Sequence, residues 1–165
     1  MVSGAIEKTA GLTASLFIIL SAAIYVPDWS CVGLYTDAPA FVRLTYHFFH
    51  ASLIHAVLNA WCLLSIIFLY KVSWSDILVA YIIAVIAPPF VLSAMPTVGM
   101  SAVCYALLGL LVFKTPSPLR FTLLLVPYLI IGFFIPAVNA WLHLYSFVAG
   151  LIVSLLFIPI PCSKK

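Results

Sequence analysis

The chain has 165 residues, of which 66% are hydrophobic and only 7% charged, and its mean hydropathy is +1.29. That balance excludes a soluble globular domain and points to an integral membrane protein whose function must be carried inside the bilayer or in short loops. The formal net charge of +3 is too small and too dispersed to invoke nucleic acid.

Six apolar stretches predict six spanning helices, over roughly 10–26, 45–70, 76–95, 101–115, 119–135 and 139–160, each near the ~20 residues that cross a bilayer. Lys8 before the first stretch and the small residues at 21–23 also fit a signal peptide. The run is longer than a signal core and five more spans follow, so a retained helix is expected. No internal repeat or linker breaks the chain, which reads as a single domain over residues 1–165 with an all-α, polytopic fold.

The segment over 27–44, "PDWSCVGLYTDAPAFVRL", is a loop with Trp29 and Tyr35, aromatics suited to the membrane surface. The second stretch opens "YHFFHASLIHAVLN" and carries His47, His50, His55 and Asn59. His55 and Asn59 are spaced i, i+4 and so share a helix face. A helix starting at 45 puts His50 one turn into the span and His55 about 15 Å down, with His47 at the headgroup boundary. Pro88 and Pro89 fall in the third stretch and Pro127 in the fifth, where kinks are expected. The fourth begins at Ser101 in "PTVGMSAVCYALLG", and the sixth carries His143 in "NAWLHLYSFVAG".

Charge sets the orientation, because Lys and Arg gather on the cytoplasmic side of short loops. With both termini inside, Lys8, Lys71, Lys114, Arg120, Lys164 and Lys165 are cytoplasmic and Arg43 alone is outside, with Asp28 and Asp37. Cys31 then lies in an outer loop, Cys62 and Cys104 within spans as buried thiols, and Cys162 at the cytoplasmic end, with no evident pair.

Polar groups within spans are costly and therefore informative. Ser101, His143, His55 and Asn59 come to similar depth from the outer side. The small-residue stripes Ala102, Ala106, Gly109 and Ser146, Gly150, Ser154 allow their helices to approach closely. A serine hydroxyl becomes a nucleophile when an imidazole takes its proton. No intramembrane carboxylate completes a triad, since Glu7 and Asp76 are cytoplasmic and Asp28 and Asp37 lie in the outer loop. The expected site is a Ser101–His143 dyad with Tyr105 as a ring for His143 to stack on, and His55, Asn59 and the Ser101 N–H as oxyanion donors. The plainer reading of Ser101 is a helix cap. The four histidines also permit an ion transporter, but that reading leaves Ser101 and Asn59 unexplained. No cofactor and no metal are expected.

These motifs resemble the rhomboid family of intramembrane serine proteases: "HASLIHAVLN" is similar to its H-x4-H-x3-N, "GMSAVCYALLG" to its G-x-S-G-x3-Y-A-x2-G, and "HLYSFVAGLIVS" to its H-x2-G-x3-G-x3-A. The resemblance implies Ser101 as nucleophile, His143 as general base, Tyr105 packed on it, His55 and Asn59 as oxyanion side chains, and His50 and Gly99 in support. It implies transmembrane protein substrates, or, for a catalytically silent relative, membrane-protein clients. The small size suggests a bacterial inner membrane with the site opening outward. Ala102 stands where the family usually has glycine, Ser146 replaces another, and the family's arginine motif of the first outer loop is not evident.

Overall fold

The structure, a computed structural model, describes residues 3–157 except residue 25, with side chains described from residue 8 onward. Cys162, Lys164 and Lys165, expected on the cytoplasmic side, lie outside the described residues, as does the side chain of Glu7. Seven α-helices and no strand are found among the described residues. Six helices correspond to the six apolar stretches, with boundaries moved by local caps and turns.

Helix α1 covers Ser3–Ser21, ahead of the expected 10–26. It stops where the Ser21 hydroxyl donates to the Ile18 carbonyl at 2.8 Å and reaches the Phe48 carbonyl at 2.5 Å. In the following loop Asp28 caps a turn at Trp29–Cys31, and the N–H and hydroxyl of Ser30 hold its carboxyl below the usual carboxylate range. Leu34 and Thr97 exchange backbone hydrogen bonds of 2.8 and 2.9 Å, which pins this loop to the segment before Ser101.

The second stretch is not one helix from 45. It divides into the short α2 (Val42–Thr45), a tight turn at Tyr46–Phe48, and α3 (Leu53–Leu69), with a bend of 94° between the two parts. Ser52 is the reason: its hydroxyl caps α3 by accepting from the His55 N–H at 3.2 Å, and Phe49 before it is extended. His50 therefore lies in the extended link, one segment before the helix that was expected to carry it.

Helix α4 covers Trp74–Val85, not 76–95. A capping box between Ser73 and Asp76 starts it. It ends before Pro88, since a proline disfavours helical backbone in the residue ahead of it. Pro88 and Pro89 thus terminate the helix instead of kinking it. Helix α5 (Ser101–Leu111) and α7 (Ala140–Leu156) sit near their expected positions, as does α6 (Pro118–Gly132), which keeps Pro127 inside.

The core lies around α5, where Ala102, Ala106, Leu107 and Leu111 are fully buried. Its packing with α7 depends on two glycines. A Cβ on Gly109 would run into the Phe147 carbonyl, and one on Gly150 into the Ala106 carbonyl. Only glycine allows backbones this close, the arrangement expected of small-residue stripes. The outer faces are apolar, with Leu16 and Leu20 on α1, Leu58 and Trp61 on α3, and Leu119 and Leu123 on α6 all exposed. No single helix among the described residues is long and apolar enough to cross a membrane alone; the bent pair at 42–48 and 53–69 reaches that length and hydropathy when its two parts are taken together.

Charged groups collect at one end. Lys114 pairs with Asp76 at 2.5 Å, and Lys8 sits 5.3 Å from the Phe68 ring centre near the end of α3. Arg43 lies at the other end, where its guanidinium donates to the carbonyls of Ala87 at 2.7 Å and Val85 at 3.3 Å.

Candidate active site

Ser101 is the first residue of α5, and the chain enters it through Gly99. Gly99 has φ +114, a left-handed conformation that disfavours any side chain. A Cβ there would also lie 2.8 Å from His55 Cε1 and 2.9 Å from its Nε2. Its N–H donates to the Tyr46 carbonyl at 3.0 Å, so the turn at 46–48 fixes the approach to the serine. Met100 occupies the cap position with no side-chain bond. The Ser101 hydroxyl does not cap the helix and instead lies 2.8 Å from His143 Nε2.

His143 is held by its own helix start. Asn139 caps α7 by accepting from the Leu142 N–H at 3.1 Å, and its amide donates to the Thr97 hydroxyl at 3.4 Å. That bond ties the beginning of α7 to the segment leading into Gly99. Tyr105, one turn along α5 from Ser101, stacks on the imidazole with ring centres 4.5 Å apart and planes at 26°. Asp28 is bonded to Ser30 and Asp76 to Lys114, so neither orients His143.

His55 faces Gly99 from α3, with His50 behind it at 5.0 Å between ring centres. His50 is 3% exposed. Asn59 is also buried, and one of its two amide hydrogens goes to the His55 carbonyl at 2.9 Å. The geometry therefore brings Ser101, His143 and Tyr105 into direct contact, and sets Gly99, His55 and His50 against one another beside them. Asn59 sits a turn farther along α3. His47 is turned into the protein. It is fully buried, with Tyr46 3.7 Å and Tyr81 5.2 Å away between ring centres.

The family model of the Rhomboid domain matches residues 40–160, which include every one of these side chains. The chain belongs to the rhomboid family. No curated protein and no solved structure matches it. As a rhomboid protein it is an integral membrane protein, of a family whose members are generally serine intramembrane proteases acting on transmembrane substrates.

In this rhomboid chain the match spans α2 to α7 and leaves α1 outside it. At 12 and 11 residues, α4 and α5 are about 18 and 17 Å long, well short of a ~30 Å hydrocarbon core. Ser101 thus heads a short helix reached through loop segments, which recesses it from one face of the protein. Ala102 is fully buried, so its methyl is taken up by helix packing. Ser146 is fully buried too, and its hydroxyl has no hydrogen-bond partner among the described residues.

Sequence reasoning missed Arg43, Tyr46 and Asn139, the residues that fix the surrounding segments. Arg43 carried a signal, as the one basic residue on the wrong side of the charge pattern. Its position follows from the carbonyls it caps at the end of α4. Asn139 carried another, a good capping residue just before an apolar run.

Proposed function

We propose that this rhomboid protein is an intramembrane serine endopeptidase that hydrolyses peptide bonds in or near transmembrane segments of other proteins. The observation that carries the reading is the 2.8 Å contact between Ser101 Oγ and His143 Nε2, with Tyr105 stacked on the imidazole. Ser101 Oγ attacks the scissile carbonyl as His143 Nε2 takes its proton. The oxyanion is met by the Ser101 N–H, unpaired at the start of α5, together with His55 and Asn59. The Tyr105 ring favours the imidazolium that forms, taking the orienting part a carboxylate has in a triad. His143 then gives the proton to the departing amine, and water activated by the same imidazole cleaves the acyl-enzyme.

The active unit is the whole chain as one domain, with both termini on the cytoplasmic side and the site opening outward, in a bacterial inner membrane. The end-to-end separation of Arg43 from Lys8, Lys71 and Lys114 supports that orientation. Helix α6, whose outer face is exposed from Leu119 to Ile131, is the element that yields to admit a substrate segment. Retention of both Ser101 and His143 weighs against a silent relative. Among the described residues no cluster of three metal-ligating side chains supports a transporter.

The test is cleavage of a transmembrane substrate by purified protein in liposomes, with fluorophosphonate labelling alongside. Cleavage and labelling are expected in the wild type and neither in Ser101→Ala. Equal cleavage by the two overturns the reading.

A further inference from the structure

Cys62 and Cys104, expected as separate buried thiols, meet between α3 and α5. Both are free, and their side chains hydrogen-bond to one another. Cys62 lies three residues beyond Asn59 on α3, and Cys104 three beyond Ser101 on α5. Each thiol therefore shares a helix face with a residue of the candidate site, about one turn farther along. The pair forms the layer next to the site, and Cys104 directly precedes Tyr105, the ring stacked on His143.

The two thiols differ in access. Cys104 is 2% exposed and belongs to the core around α5. Cys62 is half-buried and follows Trp61, which is exposed on the outer face of α3. A reagent dissolved in the lipid thus reaches Cys62 first, and Cys104 only through it. A solitary buried thiol is inert, because its thiolate is costly in apolar surroundings and nothing stands by to react with it. A facing pair has another outcome open to it, since the product of its oxidation is neutral and leaves no charge in the core. Among the described residues no group of three metal-ligating side chains gathers here, so the pair lacks the further ligands that a hard or borderline ion needs.

We infer that Cys62 and Cys104 are a reversible thiol-oxidation site, a dithiol that closes to a disulfide across α3 and α5. The co-reactant is a lipid-soluble oxidant that itself carries a disulfide. The Cys62 sulfur attacks one sulfur of that disulfide, forms a mixed disulfide and releases the other half as a thiol with the Cys62 proton. The Cys104 sulfur then attacks the Cys62 sulfur, and the second half leaves as a thiol with the Cys104 proton. Two cysteines are oxidised and one disulfide is reduced to two thiols. Closure draws the sulfurs from hydrogen-bond contact to the ~2.0 Å of a covalent bond. Because α3 carries His55 and Asn59 while α5 carries Ser101, the bond refixes the spacing between oxyanion donors and nucleophile. On the protease reading, on which this consequence rests, oxidation slows cleavage.

The test uses the full chain with Cys31→Ser and Cys162→Ser, folded in detergent and treated with dipyridyl disulfide, reading released thiopyridone and intact mass together. The expected result is two thiopyridones per chain and a loss of two hydrogens, with no adduct, reversed by dithiothreitol. Adding Cys104→Ala halts the reaction at a mixed disulfide on Cys62, and adding Cys62→Ala abolishes it. A paired protein that also halts at the mixed disulfide, or that reacts only once denatured, overturns the inference. Cleavage in liposomes before and after oxidation tests the consequence: a severalfold fall that dithiothreitol reverses is expected, and equal rates overturn it. A chain that cleaves nothing in either form counts against Ser101 as nucleophile and not against the dithiol, which the mass measurement decides alone.

Discussion

Arg43 caps helix α4 from a different segment of the chain, its guanidinium 2.7 Å from the Ala87 carbonyl and 3.3 Å from that of Val85. Tyr46, one turn later, donates to the Ala84 carbonyl at 3.3 Å, and Tyr81 of α4 returns a 2.6 Å bond to the Leu44 carbonyl. Three bonds to backbone oxygens thus come from α2 and its turn, where a helix stopped by Pro88 leaves carbonyls unpaired. Arg43→Gln is expected to lower the thermal midpoint in detergent, with a loss of about 1–3 kcal/mol for carbonyls stripped of a charged donor. Both bonds come from the one nitrogen Nη1, so Arg43→Lys, which keeps a cation on a differently shaped head, is expected to fall between the two. An unchanged midpoint in Arg43→Gln shows the cap to be idle.

The dyad makes a kinetic prediction. If Ser101 and His143 act as a unit, Ser101→Ala, His143→Ala and the double variant all fall to the same residual rate, because residues of one machine are not additive. Cleavage rates of the three variants on one substrate check this. Tyr105→Phe keeps the stacked ring and should retain most activity, whereas Tyr105→Ala should lower kcat with little change in KM. A Tyr105→Ala variant of wild-type kcat removes the tyrosine from any orienting role.

Gly99 is constrained twice over, by φ +114 and by the imidazole of His55 within 3 Å of any Cβ. Gly99→Ala is expected to cost about 1–3 kcal/mol in backbone strain and to push His55 away. Activity should fall further than stability does, since the serine's entry path and an oxyanion donor move together. Comparing the cleavage rate with the melting midpoint separates the two effects. Loss of the midpoint alone, with wild-type cleavage at low temperature, argues that His55 is not used.

Much of this was legible in the sequence for a physical reason: a polar side chain in hydrocarbon must have a partner. Ser101 and His143 had few others to choose from, and Gly109 and Gly150 marked where their helices could touch. Helix ends were less legible, because in so apolar a chain hydropathy hardly changes where a helix stops. Ser52 and Pro88 end or begin helices inside continuous apolar runs, and so His50 was placed on α3 when it precedes it. The partners of Arg43 were invisible because its acceptors are backbone carbonyls, which every residue has. The bend before α3 also folds His47 inward against Tyr46 and Tyr81, a packing that hydropathy does not show.

The two substituted glycines of the rhomboid pattern lead to opposite expectations. Ala102 is fully buried inside the helix packing of α5, one residue beyond the serine. Ala102→Gly, which restores the family's usual residue, should cost about 1 kcal/mol of helix stability and leave cleavage within a few-fold of wild type. Ser146 lies in the α5–α7 interface with its hydroxyl unbonded among the described residues. Removing a buried group that makes no hydrogen bond relieves its desolvation, so Ser146→Ala should hold or raise the melting midpoint, by up to about 1 kcal/mol. Gly150→Ala, one turn along, has no such latitude, because its methyl meets the Ala106 carbonyl. It should part α5 from α7, and with them Ser101 from His143. Melting and cleavage measured on the three variants check the set. A Gly150→Ala protein as stable and active as wild type means the helices do not approach this closely in the membrane.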